Sequence, residues 1–228
     1  MQRFVFLILL SVFPLRLSSL DLENTAVYMV SECKEMYVSM HLENKVSFKA
    51  FEQAYNGWKK ISSNKRNVLT LIDFTKPSTQ ERLYVLDMKQ KKVLFVSHVA
   101  HGRNSGGNYA TSFSNVNGSH QSSLGFYLTG STYIGKNGYS LLLEGLEKGI
   151  NDKARERAIV IHGAAYANPA IIGSAGRLGR SFGCPALPEA MNRPIIDAIK
   201  GGSLLFIYAD DSKYVAQSQI LSSPIAAL

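Results

Sequence analysis

From residue 68 onward the apolar residues arrive in short runs, and little between those runs can hold a helix. Segments 68–74, 83–88, 93–99, 124–128, 139–143, 158–161 and 203–208 are strand-length and rich in β-branched or aromatic residues. The polar Lys89-Gln90-Lys91-Lys92 suits a hairpin turn between two of them. A doubly wound parallel sheet needs a crossover helix between successive strands, and regular crossovers are missing. The pattern therefore predicts a mainly antiparallel sheet, folded as a sandwich or half-open barrel. With the helical segments below, the expected class is α+β: mainly β with α additions.

Residues 21–66 carry the helical period. Phe48, Phe51, Tyr55 and Trp58 recur at three- and four-residue steps, which places them on one helix face as core packing. Asn56-Gly57 predicts an early end to that helix. A second helix is predicted over 188–199, with Pro188 near its first turn, a break or kink at Pro194, and Gly201-Gly202 beyond its end. After Asp210 little pattern remains. These readings divide the chain into an N-terminal leader (1–19), a helical segment (20–66), a catalytic domain (67–210) and a tail (211–228).

The leader has a basic start at Arg3, an apolar run over 4–15, and small residues for cleavage at Ser18 and Ser19. That run is short for a membrane span. The expectation is export to the periplasm or cell envelope, with no stable membrane span after cleavage. The formal net charge is +8, and losing the leader would remove only Arg3 and Arg16 from it. A basic surface favours polyanionic partners. Basic runs are no longer than Lys59-Lys60 and Lys91-Lys92, so nucleic acid is not the expected partner. Cys33 and Cys184 are the only cysteines. They do not make a disulfide framework, and both are expected as free thiols, Cys33 as apolar filler.

Chemistry concentrates in two segments. Gly179-Arg180-Ser181-Phe182-Gly183-Cys184-Pro185-Ala186 holds the one cysteine in the body of the chain, and Val160-Ile161-His162-Gly163 ends a strand on a histidine. A thiol becomes a good nucleophile when a base takes its proton, and an imidazole across a cleft is the usual partner. Cys184 is therefore the candidate nucleophile and His162 the candidate base. Gly183 allows a tight conformation, and the amides of Gly183 and Cys184 are candidates for an oxyanion hole. The group that orients His162 is expected to be Ser181 or a nearby backbone carbonyl. Arg180 is a candidate for substrate binding or loop bracing, and Arg177 reads as surface. Residues 101–123 are rich in Gly, Ser and Asn, and a long loop of this kind tends to carry function. Arg103 lies in it, with His101 and His120 lining or bracing a cleft. His98 and His101 are three apart on a strand end, where side chains point to opposite faces, so no metal site is expected.

These motifs together resemble the L,D-transpeptidase catalytic-domain family, often called YkuD-like. The resemblance rests on Val99-Ala100-His101-Gly102-Arg103, Ser122-Ser123-Leu124-Gly125-Phe126-Tyr127, His162-Gly163 and residues 179–186, in that order, and spans about 69–208. The helical segment lies outside it. Phe182 stands where relatives more often have His or Arg, which suggests an apolar cleft wall. The resemblance implies attack by Cys184 on a peptidoglycan stem tetrapeptide at its third residue, with loss of D-alanine. A second stem's amine then forms a 3–3 cross-link. It implies His162 as base and then acid, Arg180, Arg103, His101, His120 and Tyr127 around the substrate, and no metal or organic cofactor. Water in place of the amine would make the protein a carboxypeptidase or endopeptidase. A non-catalytic wall-binding protein, or a cysteine protease of ordinary peptides, would carry the same residues.

Overall fold

The helical period over 21–66 resolves into two helices, α1 (Ser19–Ser39) and α2 (Phe48–Lys60). The computed structural model of the chain describes residues 19–222. The rest of the expected leader, residues 1–18, lies outside the described residues. Ser47 ends the intervening turn by capping α2, its hydroxyl accepting from the Ala50 amide at 3.2 Å. The predicted stripe is the inner face of α2. Phe51 and Tyr55 are fully buried, Phe48 and Trp58 pack beside them, and Tyr37 of α1 meets Phe48 edge-on at 5.3 Å. Burial of a large side chain of this kind stabilises by about 1.5–3 kcal/mol.

Contrary to the expected early end at Asn56-Gly57, α2 runs on through Gly57 to Lys60. A Cβ on Gly57 would sit 2.2 Å from the ring of Phe126, so the glycine lets the helix lie directly on the sheet. Gly57→Ala is expected to destabilise the fold by about 1–3 kcal/mol through overpacking, outweighing alanine's helix-propensity advantage of up to ~1 kcal/mol. Denaturant unfolding measures this, and equal or greater stability in the variant would contradict the packing account.

The strands are β1 (Val68–Asp73), β2 (Leu83–Asp87), β3 (Lys92–Ser97), β4 (Gly125–Gly135), β5 (Gly138–Gly145) and β6 (Val160–Gly163). After a short helix α3 (Ile172–Ala175) come β7 (Ala186–Leu187), α4 (Glu189–Ile199), β8 (Leu204–Tyr208), α5 (Ser212–Gln217) and α6 (Gln219–Ser222). They form one eight-stranded sheet in the order β3-β2-β1-β8-β4-β5-β6-β7. Only β1–β8 and β6–β7 run parallel. The two sheet edges meet beyond β3, where Ala100 exchanges both backbone hydrogen bonds with Ala186 of β7, at 2.8 and 3.3 Å. The sheet is thus a nearly closed barrel, the second of the two expected forms.

Two expectations need correction. Pro194 does not break α4: it forfeits one helical bond, but Ile195, Ile196 and Ile199 are fully buried and hold the backbone on the sheet. The tail after Asp210 is not patternless. Asp211 caps α5 through the Tyr214 amide at 2.9 Å, and Tyr214 and Ile220 join the core. Tyr214 and Ser218 contribute to a buried site around Glu147, which accepts from the Phe126 amide at 2.8 Å, the Tyr214 hydroxyl at 3.1 Å and the Ser218 hydroxyl. Burial holds the Glu147 carboxyl above its usual range.

Candidate active site

Parallel pairing of β6 with β7 sets His162 opposite Ala186. Counting back two residues on each strand brings Cys184 to Val160. The Val160 amide points at the Cys184 sulfur at 3.5 Å, and the thiol faces the Ala158 carbonyl at 3.6 Å. Cys184 is a free, half-buried cysteine. Burial raises its pKa, while the Val160 N–H and the positive charge of Arg157 act the other way.

Gly183 shows why the loop needs glycine. Its φ is +124°, and a Cβ would lie 2.8 Å from the Gln121 carbonyl oxygen. Its amide, however, donates to Ser181 Oγ at 3.0 Å, which removes Gly183 from the expected oxyanion hole. Among the described residues the Cys184 amide has no acceptor beyond its own sulfur. Ser181 Oγ in turn donates to the Cys184 carbonyl at 2.6 Å. Ser181 therefore ties the Cys184 loop to itself and does not orient the histidine.

That orientation comes from the backbone. His162 Nδ1 lies 2.9 Å from the Gly163 carbonyl, which can only accept, so Nδ1 carries the proton and Nε2 keeps a lone pair. Burial lowers the His162 pKa below 6.5, so the ring is neutral near neutral pH. His162 follows Val160 by two residues along β6, about 7 Å of strand rise on the same face. Among the described residues no hydrogen bond joins its ring to Cys184. Contacts of this kind often close only when substrate is bound. The grooves beside Phe113 and Asp211 include neither residue.

A free thiol and a neutral imidazole held at the β6–β7 end of one sheet can perform nucleophilic acyl transfer. The sequence model for L,D-transpeptidase catalytic domains matches residues 42–208. The chain belongs to the L,D-transpeptidase catalytic-domain family. Among solved structures, an L,D-transpeptidase from Mycobacterium smegmatis is 14% identical with a TM-score of 0.39, over 63% of this chain and 59% of that one. L,D-transpeptidase 3 from Mycobacterium tuberculosis is 12% identical with a TM-score of 0.40, over 63% and 61%. The helical cell shape determining protein of Campylobacter jejuni is 14% identical with a TM-score of 0.44, over 70% and 55%. The chain thus spans less than two thirds of each of these structures, and likenesses this distant add nothing to the family match. No curated protein matches the sequence.

The family match reaches back to residue 42 and so includes α2, which the motif resemblance left outside. Other expected residues of this L,D-transpeptidase domain fall into two groups. Tyr127 and His101 are fully buried and cannot touch a substrate from there. Tyr127 donates to the Ser123 carbonyl at 3.0 Å. His101 accepts at Nδ1 from Arg82 at 2.8 Å, and its carbonyl receives the Ser181 amide at 2.9 Å, so it braces the Cys184 loop. Burial and the Arg82 charge lower the His101 pKa to about 4. Arg180 also braces, donating to the carbonyls of Arg103 at 3.3 Å and Gly106 at 3.0 Å. Arg177 donates to the adjacent Leu178 carbonyl at 2.7 Å.

The second group forms a ledge around Phe182, two residues before Cys184. Phe182 is 66% exposed, an unusual state for a phenylalanine. The His120 ring lies 4.6 Å from its ring, and the Arg103 guanidinium sits over it at 5.9 Å. Among the described residues no group of three or more His, Cys, Asp or Glu is arranged to hold a metal. Sequence reading missed Arg82 and Arg157. Nothing in the sequence separates Arg157 from Arg155, which forms a surface ion pair with Glu144 at 2.7 Å.

Proposed function

We propose that the protein is an exported enzyme that cross-links peptidoglycan by L,D-transpeptidation, with Cys184 as nucleophile. His162 Nε2 takes the thiol proton as the sulfur attacks the carbonyl of the third stem residue. The same imidazole then protonates the departing D-alanine amine, leaving a thioester on Cys184. An amine of a second stem attacks the thioester, gives its proton to His162 and releases the cross-linked product and the thiolate. The observation that carries this reading is the half-buried free thiol of Cys184 facing the Val160 amide, on the strand that bears a neutral, backbone-oriented His162. The family match, the leader-like residues 1–19 and the basic charge support it. The ledge of Phe182, His120 and Arg103 suits the substrate's third residue, an aliphatic chain ending in a carboxylate. The site's chemistry calls for no metal or organic cofactor.

Product analysis of purified stem tetrapeptide incubated with the full chain tests the reaction. Cross-linked dimers are expected. Free tripeptide alone would assign the protein to hydrolysis, with water as the second nucleophile.

A further inference from the structure

Arg157 sets a guanidinium against the Cys184 loop, and its Nη groups donate to one other loop. Its Nη1 donates to the Ser114 carbonyl at 2.7 Å and to Ser123 Oγ at 2.6 Å. Its Nη2 donates to the Gln121 carbonyl at 2.7 Å and to Ser119 Oγ at 3.3 Å. The residue is half-buried, and among the described residues no carboxylate forms an ion pair with it. Its Nη2 also lies 3.4 Å from the point a Cβ on Gly183 would occupy. The next residue, Ala158, has a left-handed φ of +52° and offers its carbonyl to the Cys184 thiol. A guanidinium so placed joins three things at once: the long loop, the strained turn before β6, and the cysteine loop.

We propose that Arg157 is a positioning residue of the nucleophile, which staples segment 114–123 against the Cys184 loop and supplies the fixed positive charge beside the sulfur. The proposal deepens the transpeptidase reading and rests on it for the role of Cys184. An imidazole that is neutral near neutral pH can accept a proton but cannot serve as a standing counter-charge, so that task falls to the group that stays charged. The titratable groups around the sulfur are Arg157 from the turn before β6, His162 from β6, and Tyr166 from the 3-10 turn after it. Burial pushes the Tyr166 phenol up to about 12, which keeps it uncharged. Burial pulls the Arg157 pKa down, and negative charge on Tyr127 or Cys184 pulls it back up.

The test is the pH dependence of Cys184 alkylation by iodoacetamide in the full chain, followed by peptide mass mapping so that Cys33 is counted separately. No stem peptide is present, so the result stands whether or not the chain proves to be a transpeptidase. In Arg157→Gln the alkylation midpoint is expected to rise by about one pH unit or more, with about tenfold less thiolate at neutral pH. Arg157→Lys is expected to keep a midpoint near the unaltered chain's, because it keeps the charge. A glutamine variant that folds with an unshifted midpoint overturns the proposal, and so does a lysine variant that shifts as far as the glutamine one. Should Arg157→Gln not fold, His162→Ala decides with Arg157 intact. An unchanged Cys184 midpoint supports the arginine as counter-charge, and a midpoint raised by about one unit assigns that role to the imidazole and overturns the proposal.

Discussion

Cys184→Ser is expected to lower acyl transfer from a stem tetrapeptide by at least about a thousandfold while leaving the fold intact. The substitution exchanges sulfur for oxygen in nearly the same space, so Val160 and Ala158 can still hold the side chain. The hydroxyl, however, ionises far above the thiol's range, and the neutral His162 ring is too weak a base to activate it in the same way. Cys33 cannot stand in for the lost nucleophile. It is 1% exposed, and burial among carboxylates pushes its pKa up to about 12. Turnover of the purified variant, with circular dichroism to confirm folding, is the check. A serine variant with the parent's rate would remove Cys184 from the mechanism.

His162→Ala is expected to reduce turnover by about 10²–10⁴-fold, the range for loss of a general acid–base group. The loss should shrink at alkaline pH, where the thiol ionises without help. In the unaltered chain the sign of the pH effect follows from burial. Burial disfavours the imidazolium, so the folded pKa lies below 6.5 and the base form persists into mildly acid solution. The acid limb of the rate profile should therefore fall below pH 6.5 and vanish in His162→Ala. An acid limb retained in the alanine variant would show that another group takes the proton.

The sheet was legible where strands are long enough to show a pattern. Runs such as 68–74 and 203–208 stand out because both faces of these strands are buried, as in β1 and β8. β7 has only Ala186 and Leu187 and no period to read, although its pairing with β6 is what sets Cys184 against Val160. α5 and α6 are also short, and their place in the core depends on distant Glu147 and Lys60, the latter donating to the Ile220 carbonyl at 2.7 Å. Gly57 and Pro194 misled because local propensity yields to packing, against Phe126 in one case and through the buried isoleucines of α4 in the other. At the site, Cys184 and His162 were singled out from chemistry and motif, and the pairing of β6 with β7 sets them near one another. The roles of Ser181, Gly183, His101 and Tyr127 were not, because each depends on whether its polar atoms are already engaged.

Covalent acylation of the Cys184 sulfur by a wall stem peptide is read by intact-mass spectrometry of the purified chain, quenched after brief incubation with a stem tetrapeptide donor. The expected result is a mass gain equal to the tripeptide acyl group, mapped to Cys184 and absent from Cys184→Ser. A chain that consumes the donor with no such adduct at any quench time, or that carries the adduct on another residue, would contradict the account.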